Sequence, residues 1–160
     1  MKGVILEKGQ KYYTYLNEIF RALDNEHLKY NWLLTDLECN YYPDGLNSDD
    51  NYIWLSGQGL SDIVYENGVQ EVQFIWGVLS AFEPSITLED VLKHPLPYAE
   101  NNKALWTNPV ALQHPKAEFE IVAWDSSLVL FIAKDDTLVD KFTNYFPLSE
   151  DLESYNNRAE

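Results

Sequence analysis

A stretch of 63 residues, Tyr30–Leu92, contains eleven Asp and Glu residues but no Lys, Arg or His; we call it the basic-free stretch. Apolar and aromatic runs that predict strands lie between these acids, at Asn31–Leu37, Tyr52–Leu55 and Val72–Phe82. The last run is apolar on both faces near its end, which is typical of a covered internal strand, and Gly77 within it predicts a bulge or a close approach of another segment. We therefore expect this stretch to supply both the middle of a β-sheet and a one-sided negative surface.

Helices and a hairpin are predicted on either side of the basic-free stretch. The apolar spacing from Tyr12 to Leu23 predicts a helix with one buried stripe, and a second helix is expected between a cap at Asp135 and Pro147. Alternation across Glu118–Lys134 predicts a hairpin. The predicted fold is α+β, with an antiparallel-dominated sheet of about five or six strands and the N- and C-terminal helices packed on one face.

Length and cysteine content indicate a single domain in a reducing compartment. The 160 residues are enough to bury a core, and we expect residues 1–148 to form one α+β domain and residues 149–160 an acidic C-terminal tail. Cys39 is the only cysteine, and its acidic neighbours argue against a nucleophilic thiol. The N-terminal apolar run is too short for a signal peptide, and no window approaches the about 20 apolar residues of a membrane helix. We expect a cytoplasmic protein.

The charge of the chain limits its possible partners. The formal charge is −15, from 26 acidic and 11 basic side chains. A field of this sign disfavours nucleic acid and anionic membrane surfaces, because both are polyanions, and favours a basic protein or a cation. Simple solubility is the alternative, with no specific partner. The unbroken basic-free stretch favours a partner, because charge that only keeps a protein in solution is usually mixed in sign.

No motif predicts catalysis, a metal site or a cofactor. The oxygen-rich segment Asp44–Asn51 does not have the ligand spacing of an EF-hand. Gly57–Gly59 lacks the third glycine of a dinucleotide site and the Lys-Ser/Thr of a phosphate loop, so we predict a plain turn there. His27, His94 and His114 have no Ser or Cys placed by local spacing to pair with them. We expect no enzymatic activity, no metal and no cofactor.

Candidate partner contacts lie in and around an exposed loop between Asn40 and Asn51, which is rich in turn-forming residues. They combine aromatic side chains with carboxylates. The candidates are Tyr41, Tyr42, Asp44, Asp49, Asp50 and Trp54, with Glu66 and Glu71 at the rim. An alternative is a small-ligand-binding or enzymatic domain that uses an aromatic pocket near Trp106 and Trp124, within reach of the irregular segment Pro95–Pro115. A structural protein without a specific partner is the third interpretation.

Four segments carry a resemblance to a known group of proteins. They are Trp76-Gly77-Val78-Leu79-Ser80-Ala81-Phe82, Gln113-His114-Pro115, Glu120-Ile121-Val122-Ala123-Trp124-Asp125-Ser126-Ser127, and Phe146-Pro147 with Glu150-Asp151-Leu152-Glu153-Ser154-Tyr155-Asn156. Together with the layout of the chain, they resemble small bacterial immunity proteins of polymorphic toxin systems and related families of unknown function. The resemblance implies a cytoplasmic protein that binds and blocks a cognate toxin domain, often a nuclease and often basic. The acidic surface would occlude the basic active-site or substrate-binding surface of that toxin.

Overall fold

The computed structural model describes residues 1–47, 50–65 and 72–159. Within these residues, seven strands form one sheet: β1 Lys2–Leu6, β2 Asn31–Cys39, β3 Tyr52–Ser56, β4 Phe74–Phe82, β5 Phe119–Trp124, β6 Leu128–Ala133 and β7 Glu150–Asp151. Their order is β3-β2-β4-β5-β6-β1-β7, and every neighbouring pair is antiparallel. The α+β class and the antiparallel sheet are confirmed, and the described residues contain more strands than the five or six expected.

Helices cover both faces of the sheet. They are α1 Leu16–Ala22, α2 Gly57–Tyr65, α3 Leu88–Val91, α4 Asp136–Tyr145 and α5 Leu152–Arg158, with 3₁₀ turns at Glu26–Lys29 and Lys103–Trp106. Apolar side chains of α1, α2 and α4 pack on one face, which we call the helical face. The opposite face, which we call the loop face, is covered by α3, α5 and the segment 92–118 that joins α3 to β5. Phe20 and Phe142 are fully buried in the helical face, as the N- and C-terminal helices were predicted to be.

The hairpin β5–β6 separates the two cores by simple alternation. Phe119, Ile121 and Ala123 belong to the helical-face core, whereas Val122 belongs to the loop-face core. Successive side chains of a strand point to opposite faces, so this period-2 pattern assigns each residue to one side. The register pairs Trp124 with Leu128, which leaves a three-residue turn and confirms the predicted hairpin.

Two register shifts between β2 and β4 change the phase of alternation in both strands. Phe74 and Leu79 lie in the same helical-face core although they are five residues apart, which strict alternation forbids. The register with β2 shifts just beyond Thr35, and a Cβ atom on Gly77 would lie 2.7 Å from Leu37 Cδ2. The prediction is confirmed as a close approach at Gly77, and the extra residue of the bulge lies opposite it in β2, between Thr35 and Glu38.

The basic-free stretch forms one end of the sheet, not its middle. Its strands β3, β2 and β4 are the first three in the strand order, and β5 is the central strand. The expectation that this stretch supplies the middle of the sheet is therefore wrong. Apolar runs alone do not reveal strand order, because an internal strand beside the edge is covered on both faces like a central one. The consequence is that β3, β2 and β4, with the exposed Asp36 and Glu38 of β2, lie at one end of the sheet.

The predicted plain turn at Gly57–Gly59 is also wrong, because these residues form the first turn of α2. The Ser56 hydroxyl accepts a hydrogen bond from the Gly59 N–H at 3.0 Å, as an N-cap side chain does. Gly57 is needed for close packing. A Cβ atom there would lie 2.4 Å from the carbonyl oxygen of His27 and 2.8 Å from Leu28 Cα.

The C-terminal segment is part of the fold for most of its length. Glu150 pairs with Ile5 in the sheet, and α5 follows at once. Leu152 of α5 is fully buried in the loop-face core beside Ile5 and Ile132. The sequence suggested an acidic tail because its apolar residues are few, yet one leucine at the right place is enough to dock a short helix.

Candidate functional site

In the part of the chain that the structure describes, the end of the sheet at β3 carries several carboxylates that form no ion pair. Most ion pairs in the described residues lie outside the basic-free stretch, for example Arg21 with Glu18 at 2.7 Å and Arg158 with Glu150 at 2.6 Å. Of the acids in the stretch, Asp90 forms an ion pair with Lys93, which directly follows the stretch. The exposed residues Asp36, Glu38 and Asp44, and the partly buried Asp62 of α2, form no ion pair. We call Asp36, Glu38, Asp44, Asp50 and Asp62 the acidic face.

A cavity of about 570 Å³ opens at the acidic face. It lies between the loop that joins β2 to β3, the ends of these two strands, and residues 96–98. Its lining includes Asp36, Tyr42, Asp50, Tyr52, Leu96 and Tyr98, and we call it the groove. A concave site with apolar and aromatic walls and a few polar groups is the usual form of a binding pocket. The groove is therefore the candidate functional site.

Asp36 builds the far wall of the groove. Its backbone is left-handed, with φ 54°, at the point where the β2–β4 register shifts. This turns the carboxylate outward, where Oδ2 accepts hydrogen bonds from the N–H groups of Ala99 and Glu100, each at 2.9 Å. The bulge thus fastens the segment that contains Tyr98 across the end of β2. The Asp36 carboxylate is engaged in this structural role and is not free to bind a partner.

The near wall is the loop after β2, which is anchored by its own side chains. Leu46 is buried in the helical-face core, and the Tyr42 oxygen accepts a hydrogen bond from the Cys39 N–H at 3.2 Å. Asn40 Oδ1 accepts another from the N–H of Gln73 at 2.9 Å. These contacts hold Tyr42 at the rim, where 47% of its surface is exposed, opposite Tyr98, of which 50% is exposed.

The structure brings together only some of the predicted contact residues. Tyr42 and Asp50 both line the groove, and Asp44 is exposed in the same loop. Tyr41 is half-buried and packs against the helical-face core, away from the groove. The Trp54 indole lies on the loop face, 5.7 Å from the ring of Phe82. The predicted contacts Asp49, Glu66 and Glu71 lie outside the described residues.

The acidic and aromatic residues of the groove that sequence reasoning missed are Asp36, Tyr52 and Tyr98. A single Asp inside an otherwise apolar strand run is a signal that could have indicated a bulge at Asp36. Tyr52 could have been selected as an aromatic residue directly beside Asp50. No local signal points to Tyr98, because its place in the groove depends on a contact between Ala99 and Asp36, which are 63 positions apart.

The Cys39 thiol is buried and unreactive. Burial, with a smaller contribution from the charge of Glu38, raises its pKa to about 12. The acidic neighbours were expected to have this effect, but burial is the larger cause. A thiol that stays protonated near neutral pH is a poor nucleophile.

A buried carboxylate that the sequence did not single out fastens the irregular segment on the loop face. Glu120 of β5 is fully buried and accepts hydrogen bonds from the Ser80 hydroxyl at 2.7 Å and the Gln113 N–H at 2.6 Å. Burial raises the pKa of Glu120, while these donors oppose the shift. Next to it, His114 Nε2 lies 2.9 Å from the carbonyl oxygen of Val91, and Nδ1 accepts from the Lys116 N–H. Both ring nitrogens of His114 are therefore in hydrogen-bonding contact with the backbone.

The aromatic residues proposed for the alternative site contact one another. The Trp106 and Trp124 rings meet edge to face with centroids 5.0 Å apart, and Trp76 lies 4.8 Å from Trp124. Tyr155 of α5 adds a fourth ring at 6.1 Å from Trp106. Neither the groove nor a smaller cavity beside Tyr12 and Tyr15 is lined by Trp106 or Trp124.

No group of three or more His, Cys, Asp or Glu residues in 1–47, 50–65 and 72–159 could hold a metal ion. Over the same ranges, the helices are all too short or too polar to cross a lipid bilayer.

Comparisons with models of protein families, with curated proteins and with solved structures found no match for this chain. The acidic face and the groove are therefore the features from which a function can be inferred.

Proposed function

We propose that the protein is an immunity-type binding protein whose acidic face docks on a basic surface of a cognate toxin domain. The observation that carries this proposal is the segregation of charge, since the acidic face lies in a stretch without Lys, Arg or His and adjoins an aromatic groove. Electrostatic complementarity of this kind speeds encounter and selects partners of the opposite sign. The resemblance to immunity proteins agrees with this interpretation.

The mechanism is occlusion, not catalysis. A toxin that acts on nucleic acid needs a basic cleft to hold phosphates, and an acidic protein seated on that cleft competes for the same charges. The rings of Tyr42, Tyr52 and Tyr98 supply the apolar contact area that charge alone lacks. Aromatic anchors in a partly dry pocket usually carry most of the binding energy, while rim charges act on the rate of association.

Capture from cells that produce the protein tests this function. The bait proteins are the parent, an acidic-face variant with Asp44→Asn and Asp50→Asn, and a control variant with Asp136→Asn and Asp140→Asn. The control carries the same charge change on α4, which packs over β1 and β6 at the other end of the sheet. Asp136 contacts Lys2 at 3.8 Å with both side chains more than half exposed, so little stability depends on that pair.

We expect the parent and the control to retain one basic protein, identified by mass spectrometry, and the acidic-face variant to retain less of it at moderate salt. The parent should also inhibit the activity of the purified partner at equimolar concentration. Equal retention by all three baits, or a retained protein whose activity is unchanged by binding, would reject the proposed function.

A further inference from the structure

The two ends of the sheet differ in how their edges are protected. At one end, β7 has only two residues, both acidic, and the chain leaves it at once to form α5. At the other end, β3 has five residues, Tyr52–Ser56, and pairs only with β2 among the described strands. No backbone hydrogen bond outside the named helices and strands of the described residues involves the main chain of Tyr52–Ser56. One side of β3 thus presents backbone groups that the described residues leave unpaired.

Exposed edges of this kind are usually blocked in folded proteins. The common devices are Lys or Pro in the edge strand, a bulge, or a very short strand. The sequence of β3, Tyr-Ile-Trp-Leu-Ser, contains neither Lys nor Pro, and its register with β2 is regular throughout. Its side chains hold it in place from both faces, with Ile53 and Leu55 against the helical-face core and Trp54 against Phe82. The edge is therefore extended, firmly held and open.

We propose that β3 is a strand-addition site, at which an extended basic segment of the partner pairs with the outer edge of β3 and extends the sheet by one strand. This inference rests on the proposed function and specifies how the partner is held. Main-chain hydrogen bonds supply affinity in this mode of recognition, and pockets for alternate side chains supply specificity.

Charge decides between the occupants that such an edge could accept. A second copy of this chain would bring two acidic faces together, because Asp50 precedes β3 by two residues and Asp62 lies one and a half helical turns into α2. The formal charge of −15 would oppose that pairing. A segment rich in Arg or Lys meets the opposite situation, because the whole basic-free stretch offers it carboxylates and no competing cation.

The groove continues from the edge and suits a long cationic side chain. Tyr52 and Ile53 belong to β3 and also line the groove, so an added strand would pass its mouth. An Arg side chain could lay its methylene stem on the rings of Tyr42 and Tyr98, with its guanidinium in the negative field of the acidic face. The groove thereby fixes the register of the added strand by accepting one of its side chains.

Synthetic peptides test strand addition without knowledge of the natural partner. The probe is a peptide that alternates Arg with Thr and Val. Two derivatives carry N-methyl groups on alternate residues, in one phase or the other. In an added strand, alternate N–H groups point to β3 and the rest point to solvent, so one phase of methylation removes the pairing donors and the other leaves them. The full-length protein is titrated with each peptide, and amide hydrogen exchange of Tyr52–Ser56 is followed by NMR.

We expect the unmodified peptide to slow exchange at alternate amides of β3 by about tenfold or more at saturation. One N-methyl derivative should bind as well as the unmodified peptide and the other should lose binding. Equal binding of both derivatives, or protection confined to residues outside β3, would overturn strand addition.

The acidic-face variant with Asp44→Asn and Asp50→Asn separates this inference from the proposed function. If the peptide binds this variant more weakly but both N-methyl derivatives bind equally well, docking through the acidic face stands and strand addition is rejected. If binding depends on the phase but not on the two carboxylates, strand addition stands and the electrostatic basis of the function is rejected. Binding that depends on neither rejects both.

Discussion

His27 makes the stability of the fold depend on pH in a way that can be calculated. Its ring is fully buried and stacks on Phe20 at 3.7 Å, and neither ring nitrogen has a hydrogen-bond partner among the described residues. Burial lowers its pKa from 6.5 to about 4. Between these values the unfolded chain binds a proton that the folded protein excludes, so acidification destabilises the fold. The stability is complete above about pH 6.5 and is lost progressively toward pH 4.

The size of this effect follows from the two pKa values. At about pH 5, protonation of His27 in the unfolded chain should lower the free energy of unfolding by about 2 kcal/mol relative to about pH 7.5. The perturbation is His27→Phe, which keeps an aromatic ring against Phe20 but removes the titration. The assay is urea unfolding of both proteins at the two pH values, in which packing changes cancel when each protein is compared with itself.

We expect the loss of stability on acidification to be about 2 kcal/mol smaller in His27→Phe than in the parent. Carboxylates with a lowered pKa, such as Glu150, titrate in both proteins and cancel from the difference. Tyr12→Phe is the matched control, because it alters an exposed aromatic residue and leaves all three histidines in place, so its pH dependence should follow the parent. Parallel curves for the parent and His27→Phe would refute the reasoning.

Three further predictions concern stability and are measured by denaturant unfolding. Gly57→Ala should lower the free energy of unfolding by about 2–3 kcal/mol, because its Cβ atom meets fixed backbone atoms. Gly59→Ala, the control, should leave it unchanged or raise it by up to about 1 kcal/mol through helix propensity. Equal effects of the two changes would contradict the packing assigned to Gly57. Phe142→Ala should lower the free energy of unfolding by about 3–5 kcal/mol, and Tyr12→Ala, at an exposed position, by less than about 0.5 kcal/mol. A small loss for Phe142→Ala would mean that α4 is not docked as described. Glu120→Gln should cost about 1–3 kcal/mol, because an amide nitrogen would replace an oxygen that accepts a hydrogen bond; unchanged stability would show that these bonds are not needed.

Features that depend on neighbours in sequence were predictable. The hairpin β5–β6 and the cap of α4 follow from local spacing, and Asp135 accepts the N–H of Thr137 at 2.9 Å as a capping residue does. The predicted N-terminal stripe is right from Leu16 onward but wrong at Tyr12, which lies before α1 and is exposed because the left-handed backbone of Thr14 interrupts the helix. The cap of α2 at Ser56 was equally local, but the two glycines after it favoured a turn. Glu120 occupies an alternating polar position that usually faces solvent, and only the segment folded over it makes that position buried.

The groove was only half predictable because it joins distant parts of the chain. Its near wall, with Tyr42 and Asp50, comes from one loop whose composition marks it as exposed. Its far wall depends on the bond between the Asp36 carboxylate and the N–H groups of Ala99 and Glu100, which spacing cannot reveal. Strand order is likewise a long-range property, and it places the strands β3, β2 and β4 of the basic-free stretch at one end of the sheet.

The association rate with the captured partner tests the central claim most directly. Stopped-flow measurements would compare the parent, the acidic-face variant and the α4 control at about 0.1 M and about 1 M salt, where the Debye length falls from about 10 Å to about 3 Å. We predict that Asp44→Asn with Asp50→Asn slows association at low salt and flattens its salt dependence, while Asp136→Asn with Asp140→Asn behaves like the parent. An acidic-face variant that keeps the rate and the salt dependence of the parent would contradict docking through this face.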